Sequence, residues 1–218
     1  SRFARYTSVC ERGVKMKYEW KKQEKTLYGA KKTPTLITVP KQSYIMISGS
    51  GNPNDPDFSS RVTALYSLAY AIKMDYKAAA AISGCEVHDF SVYPLEGVWN
   101  LKHGGKLIKE DLEYTIMIRQ PDFVTEKMAA AALERVKTGK PNPLYAEIRF
   151  DTMEDGKCIE ILHIGPYDDE PASFEKMAQF AKNNGLERRE SRHREIYLNN
   201  AGRVEKSKLK TILRYSVR

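Results

Sequence analysis

The sequence predicts an α+β protein: a tandem β-α-β-β repeat with pseudo-twofold symmetry, an antiparallel sheet, helices on one face and a ligand cleft on the other. Three observations predict it. Each half of the chain runs strand, Gly/Pro turn, helix, strand, strand. Phe58 opens the first helix as Phe174 opens the second, and Trp99 in EGVWNL lines up with Tyr197 in REIYLN, 98 residues later. Ile116 in the next strand lines up with Leu213, 97 residues later. Identity between the halves is weak, so the duplication rests on element order. Two such units, at about residues 36–120 and 144–218, explain why no linker interrupts residues 16–218, read as a single domain.

Residues 1–15 show neither a helical nor a strand period and are read as an extension of the kind that expression adds, outside the fold. From Tyr18 to Tyr28, aromatic residues alternate with lysines. The segment is read as packing its rings on the domain; a nucleic-acid arm has the same composition. Residues 36–51 are β-rich, and Pro40 divides them into a lead-in and a strand over 43–48. Gly49 and Gly51 follow, but a dinucleotide fingerprint needs a third glycine where Asn54 stands, so the segment is a turn. Pro56 starts a helix with a stripe of Phe58, Val62, Leu65, Ala69 and Ile72, ending near Tyr76. Strands are expected over 90–101 and 112–119 around a Gly104–Gly105 turn.

Thr125 is the expected N-cap of a helix over 124–137, with Met128, Ala129, Ala132, Leu133 and Val136 on one face. A strand over 144–151 turns back at 154–156 into the strand that begins at Cys158. There CIEILHIGPYDDEPASFEKMAQFAKNNG reads as strand, Gly-Pro-Tyr turn and helix. Asp168, Asp169 and Glu170 suit the helix N-terminus, Phe174, Met177, Ala178 and Ala181 share a stripe, and Asn184-Gly185 supplies a left-handed stop. Strands over 192–198 and 211–217 complete the sheet.

The 218 residues are 41% hydrophobic and 29% charged, an ordinary globular composition, with 13 tyrosines. No apolar run approaches the roughly 18 residues of a membrane span. Three scattered cysteines, Cys10, Cys85 and Cys158, fit neither a zinc site nor a disulfide framework, which places the chain in the cytoplasm. The net charge of +8 comes from lysines and arginines near both ends with acids interleaved, the pattern of a solvated surface.

Strand alternation sets Tyr93 beside Trp99 on one side and Glu195 beside Tyr197 on one side. If both sides face the junction of the repeats, a carboxylate sits among aromatic rings, a cage for planar or cationic organic ligands. The plainer alternative is that Trp99 and Tyr197 are core aromatics and Glu195 a solvated strand residue. His163 reads as a satisfied core histidine that is also placed to face the cleft. His193 lies near Glu195 but at no metal-ligand spacing. No G-x-S-x-G, H-E-x-x-H or Walker pattern occurs, and no metal or cofactor is called for.

The segments IEILHIGPYDDEPASFEKMAQFAKNNGL, REIYLNN and KTILRYSV resemble the GyrI-like small-molecule-binding family, the effector-binding domain of multidrug-responsive regulators. YEWKKQEKTLYGAKKTPTLITVPKQSYIMISGSGNPNDPDF, PLEGVWNL and MIRQPDFV resemble its stand-alone branch, which lacks a DNA-binding domain. The resemblance runs from Met16 to the C-terminus. It implies a ligand cleft between the repeats, a pocket glutamate carried by Glu195, and cage walls at Trp99 and Tyr197, with Tyr145, Tyr167 and Phe174 as further candidates. It also implies hydrolysis of cyclopropane-bearing DNA-alkylating compounds in some members, with Glu195 and Tyr197 as the catalytic pair. The expected partner is a small molecule, with no direct nucleic acid and no membrane, in a monomer or homodimer. A non-catalytic drug sensor or sequestering protein, or an interaction module of the gyrase-inhibitor type, are the alternatives.

Overall fold

A computed structural model describes residues 16–101 and 108–218. The expected extension over 1–15 and the Gly104–Gly105 turn lie outside them. After a short strand β1 (Met16–Tyr18) come two single-turn helices, α1 (Trp20–Gln23) and α2 (Lys25–Tyr28), and then β2 (Thr35–Val39) and β3 (Gln42–Ser50). Helix α3 (Pro56–Ser83), β4 (Val87–Phe90), β5 (Leu95–Leu101) and β6 (Leu112–Gln120) complete the first half. The second half holds α4 (Glu126–Gly139), β7 (Arg149–Met153), β8 (Gly156–Ile164), α5 (Glu170–Asn183), β9 (His193–Tyr197) and β10 (Lys210–Ser216).

Eight strands form one antiparallel sheet in the order β2-β8-β10-β9-β5-β6-β3-β7. The register carries the repeat. Gly97 pairs with Glu195 across the central β5–β9 seam, Gly97 pairs with Ile116, and Glu195 pairs with Leu213. Ile116 therefore stands to Gly97 as Leu213 stands to Glu195, the correspondence the sequence alignment implies. The lead strands are exchanged: β2 precedes β3 yet pairs with β8, and β7 precedes β8 yet pairs with β3. Each half thus closes the outer edge of the other, leaving fewer unpaired edges than two separate units would.

Residues opposite one another in register share a face. Ile45, Ile47, Ile116, Ile118 and Trp99 face α3, whose Leu65, Leu68 and Ile72 are buried in the same core. Ile159, Ile161, Leu213 and Tyr215 face Met177 and Ala181 of α5. Both helices therefore lie on one face, on either side of the β5–β9 seam.

The opposite face is covered by the N-terminal segment. Tyr28 donates to Glu96 (3.3 Å), Arg214 donates to the Leu27 carbonyl (2.7 Å), and Glu24 accepts from Arg119 and Tyr93. The aromatics of this segment thus pack on the domain, with Trp20 and Tyr28 buried.

Local chemistry explains where the elements depart from the expected boundaries. The first helix does not end near Tyr76; an alanine-rich run carries it to Ser83, and Gly84 at φ +69° stops it. The strand expected over 90–101 is two strands, because Pro94 interrupts it and β4 pairs instead with β1 in a separate parallel ribbon. The strand expected over 144–151 begins only at Arg149. Asn142 caps a 3-10 turn, Pro143–Ala146, that Pro143 favours. Thr125 does cap α4, accepting from the Met128 amide.

Candidate functional site

At the β5–β9 seam, between α3 and α5, four side chains form a hydrogen-bonded chain. Trp99 Nε1–H donates to the Tyr197 hydroxyl (2.9 Å), and Tyr197 O–H donates to Glu195 Oε2 (2.7 Å). His193 Nε2–H donates to Glu195 Oε1 (2.8 Å). The fold arranges this by period two: His193, Glu195 and Tyr197 are alternate residues of β9 and point the same way. Trp99 reaches Tyr197 by lying over Gly97. A Cβ at that glycine would stand 2.5 Å from the indole nitrogen and 3.3 Å from the Tyr197 oxygen, so the residue beneath the pair has to be glycine.

The walls are aromatic. Phe58 of α3 stacks on Trp99 (5.8 Å between ring centroids) and meets Tyr114 edge-on, while Tyr114 itself packs against Trp99. From the other half, Tyr167 meets Tyr197 edge-on (5.9 Å) and Phe174 meets the His193 ring (4.7 Å). Tyr167 is 41% exposed, whereas Trp99 and Glu195 are buried, so Tyr167 is the solvent-side wall. Phe174 also borders an open volume of about 350 Å³ lined by Ala178, Lys182, Leu186, Arg188 and Tyr215.

Glu170, the first residue of α5, completes the cluster. Its buried carboxyl lies beside that of Glu195, and its Oε1 accepts no hydrogen bond from any described group. Burial first, then the Glu195 carboxylate beside it, hold it well above the usual carboxylate range. Burial and the same carboxylate keep the Tyr197 hydroxyl well above the usual phenol range, so it remains a donor. Burial, then Glu195, raise Tyr167 likewise.

Of the residues expected from the sequence, Trp99, Glu195, Tyr197, Tyr167 and Phe174 come together. They do so on the helix-bearing face, whereas the cleft was expected on the opposite one: the register that sets Gly97 against Glu195 and Ile116 puts them on the side of α3 and α5. Tyr93 is on the covered side: with Pro94 breaking the strand, the alternation that set it beside Trp99 does not hold. It stacks on Trp20 and lies under the Arg119 guanidinium. Tyr145 is buried in the main core in the turn before β7, at the far edge of the sheet from β9. His163 shares the face of the cluster but spends both ring nitrogens on the β8–α5 turn, on Ser173 Oγ (2.9 Å) and the Pro166 carbonyl (2.9 Å).

Sequence reasoning missed Glu170, His193, Phe58, Tyr114 and Gly97. The period-two relation of His193 to Glu195, and the repeat that sets Phe58 against Phe174, were the available signals. Among the described residues, no group of three or more His, Cys, Asp or Glu side chains is arranged to hold a metal ion. No helix of the described residues is long and apolar enough to cross a membrane.

Comparison with known proteins gives the family to which the fold belongs. The GyrI-like small molecule binding domain model matches residues 32–216. An uncharacterised conserved protein from Listeria innocua is 34% identical, over 92% of this chain and 100% of its own, with a TM-score of 0.85. A hydrolase from Listeria innocua is 32% identical over 93% of this chain and 100% of its own (TM-score 0.82), and a further hydrolase from that organism is 31% identical over 92% and 100% (TM-score 0.80). Among curated proteins, none matches the sequence.

Proposed function

The chain belongs to the GyrI-like small-molecule-binding family, and from that premise we propose that it binds hydrophobic planar or cationic molecules between α3 and α5 and hydrolyses those that carry a strained, electrophilic cyclopropane. The observation that carries the reading is Glu195: a buried carboxylate held by Tyr197 and His193 among the rings of Trp99, Tyr167 and Tyr197. Such a carboxylate orients a cation or a water, and the rings stack on the flat faces of a ligand.

A cyclopropane conjugated to a dienone is already activated, so the protein's task is placement and charge. Glu195 takes a proton from the attacking water as the C–O bond forms and the ring C–C bond breaks. The electron pair released moves to the dienone oxygen; as Glu195 takes up the water proton, the single Tyr197 O–H turns from Glu195 to donate to the developing phenolate. Two Listeria innocua relatives described as hydrolases support turnover over storage alone.

The test is to incubate the protein with a cyclopropane-bearing alkylator and follow the ring-opened product. Glu195→Gln is expected to bind the compound and to lower turnover by roughly 10²-fold or more. Equal turnover in the variant removes Glu195 from the mechanism. Binding by the native protein with the ring left intact makes the protein a sequestering binder.

A further inference from the structure

Glu170 and Glu195 present a problem of hydrogen-bond chemistry. Ionised carboxylates are acceptors only and repel each other, so two of them buried side by side are compatible only if one holds a proton. Glu195 receives a donor on each oxygen, Tyr197 on one and His193 on the other, which favours its ionised form. Glu170 is 7% exposed, and its buried Oε1 receives no hydrogen bond from any described group. An ionised carboxylate in that position would be buried without a partner, so the proton resides on Glu170. The remaining charged or titratable groups around the pair are Asp168, Tyr167, Tyr197 and His193. Asp168 points to solvent, where Lys109 lies 3.7 Å from it. Among the described residues, no lysine or arginine forms an ion pair with either carboxylate.

We propose that the site exchanges a proton for a cation: a lipophilic cation entering beside Glu195 pairs with both carboxylates, and the proton held by Glu170 leaves to solvent. The inference rests on the small-molecule reading above and specifies its ligand class. One positive charge replaces another, so the buried site keeps its net charge, and no covalent bond of the ligand changes. A neutral planar molecule has no charge to offer and leaves the proton in place. Glu170 is thus the residue that makes the site sense ligand charge. Burial and the adjacent Glu195 both hold the proton on Glu170 at neutral pH in the free protein, in line with this assignment.

The experiment is calorimetric titration of the folded chain in buffers of different ionisation enthalpy, which counts protons released per ligand. N-methylacridinium, a planar permanent cation, is compared with acridone, a neutral molecule of similar size. The cation is expected to release about one proton at neutral pH, and its affinity to rise by up to tenfold per pH unit, the limit for one proton. Acridone is expected to release none.

Glu170→Gln keeps a neutral donor beside Glu195. It is expected to bind the cation without proton release and without that pH slope. Release that persists in Glu170→Gln assigns the proton to His193 and overturns the proposal, as does cation binding by the native protein with no release. Failure of both compounds to bind overturns the small-molecule reading, whereas binding of acridone alone overturns only the exchange. Should Glu170→Gln not fold, His193→Gln, which keeps a neutral donor beside Glu195, is expected to retain release of about one proton per cation, and loss of release in that variant overturns the proposal.

Discussion

Arg194 and Glu195 are neighbours in one strand and face opposite ways, and the surroundings of the two faces differ in kind. On the covered face the buried acids Glu96 and Glu160 and the half-buried Asp155 and Glu24 each have an arginine: Arg194 bridges Glu96 (2.9 Å) and Asp155 (3.0 Å), Arg214 holds Glu160 (2.8 Å), and Arg119 holds Glu24. On the helix-bearing face Glu170 and Glu195 have only Tyr197, His193 and each other. Burial lifts the Glu96 carboxyl, but Arg194 and Arg214 pull it back; at Glu170 burial, the Glu195 charge and Asp168 all push the same way. The first face is electrostatically complete within the chain. The second is short of positive charge, which is the condition under which a ligand can supply it.

Removing the partner from each face tests that contrast. Arg194→Met leaves Glu96 and Asp155 buried without their guanidinium, and the chain is expected to lose about 3 to 5 kcal/mol of stability, read from the denaturant midpoint. Glu195→Gln leaves neutral groups among neutral donors and is expected to change stability by no more than about 1 kcal/mol. Its effect falls on turnover. If Glu195→Gln proved as destabilising as Arg194→Met, the helix-bearing face would be as structural as the other, and the contrast would be lost.

A smaller effect is expected at Gly97, the floor of the ring pair. In Gly97→Ala the new methyl occupies the place of the Trp99 indole nitrogen, so the ring has to move and the Trp99–Tyr197 hydrogen bond breaks. Overpacking of this kind costs about 1 to 3 kcal/mol, and ligand affinity should fall with it. Unchanged stability and affinity would mean that the indole is free to relocate and that the pairing does not shape the site.

The contrast also separates what the sequence made legible from what it did not. Trp99 and Tyr197 could be aligned from the repeat alone; in the sheet the equivalent positions that meet across the seam are Gly97 and Glu195, and Trp99 and Tyr197 each lie two residues further along their own strands, on the same face. Glu195 followed by alternation. The side of the sheet did not follow, since alternation says which residues share a face and not what covers it; that depended on α3 and α5 packing on the side of Glu195. Tyr93 failed at Pro94, where one interrupted strand removes the parity argument. Glu170 was hidden by a sufficient local explanation: an acid at a helix start satisfies the helix dipole, so nothing in the sequence asked for a second role. Its approach to Glu195 exists only once α5 is laid on the sheet.

The smallest expected effect is a slope, and it bears on the same residue. Glu170 binds its proton more tightly in the folded chain than its ordinary value of about 4.5 allows in the unfolded chain. Between that value and the raised one, the folded state holds more protons, so stability falls as pH rises. The contribution is complete below the ordinary carboxylate value and is lost as pH climbs through the raised one, where two adjacent carboxylates would both be ionised. Glu170→Gln removes this titration. Thermal unfolding from mildly acidic to alkaline pH should therefore show a flatter profile for the variant, with its advantage over the native chain growing as pH increases. Parallel profiles would mean that Glu170 is already ionised in the folded protein, and the helix-bearing face would then hold two negative charges with no proton to exchange.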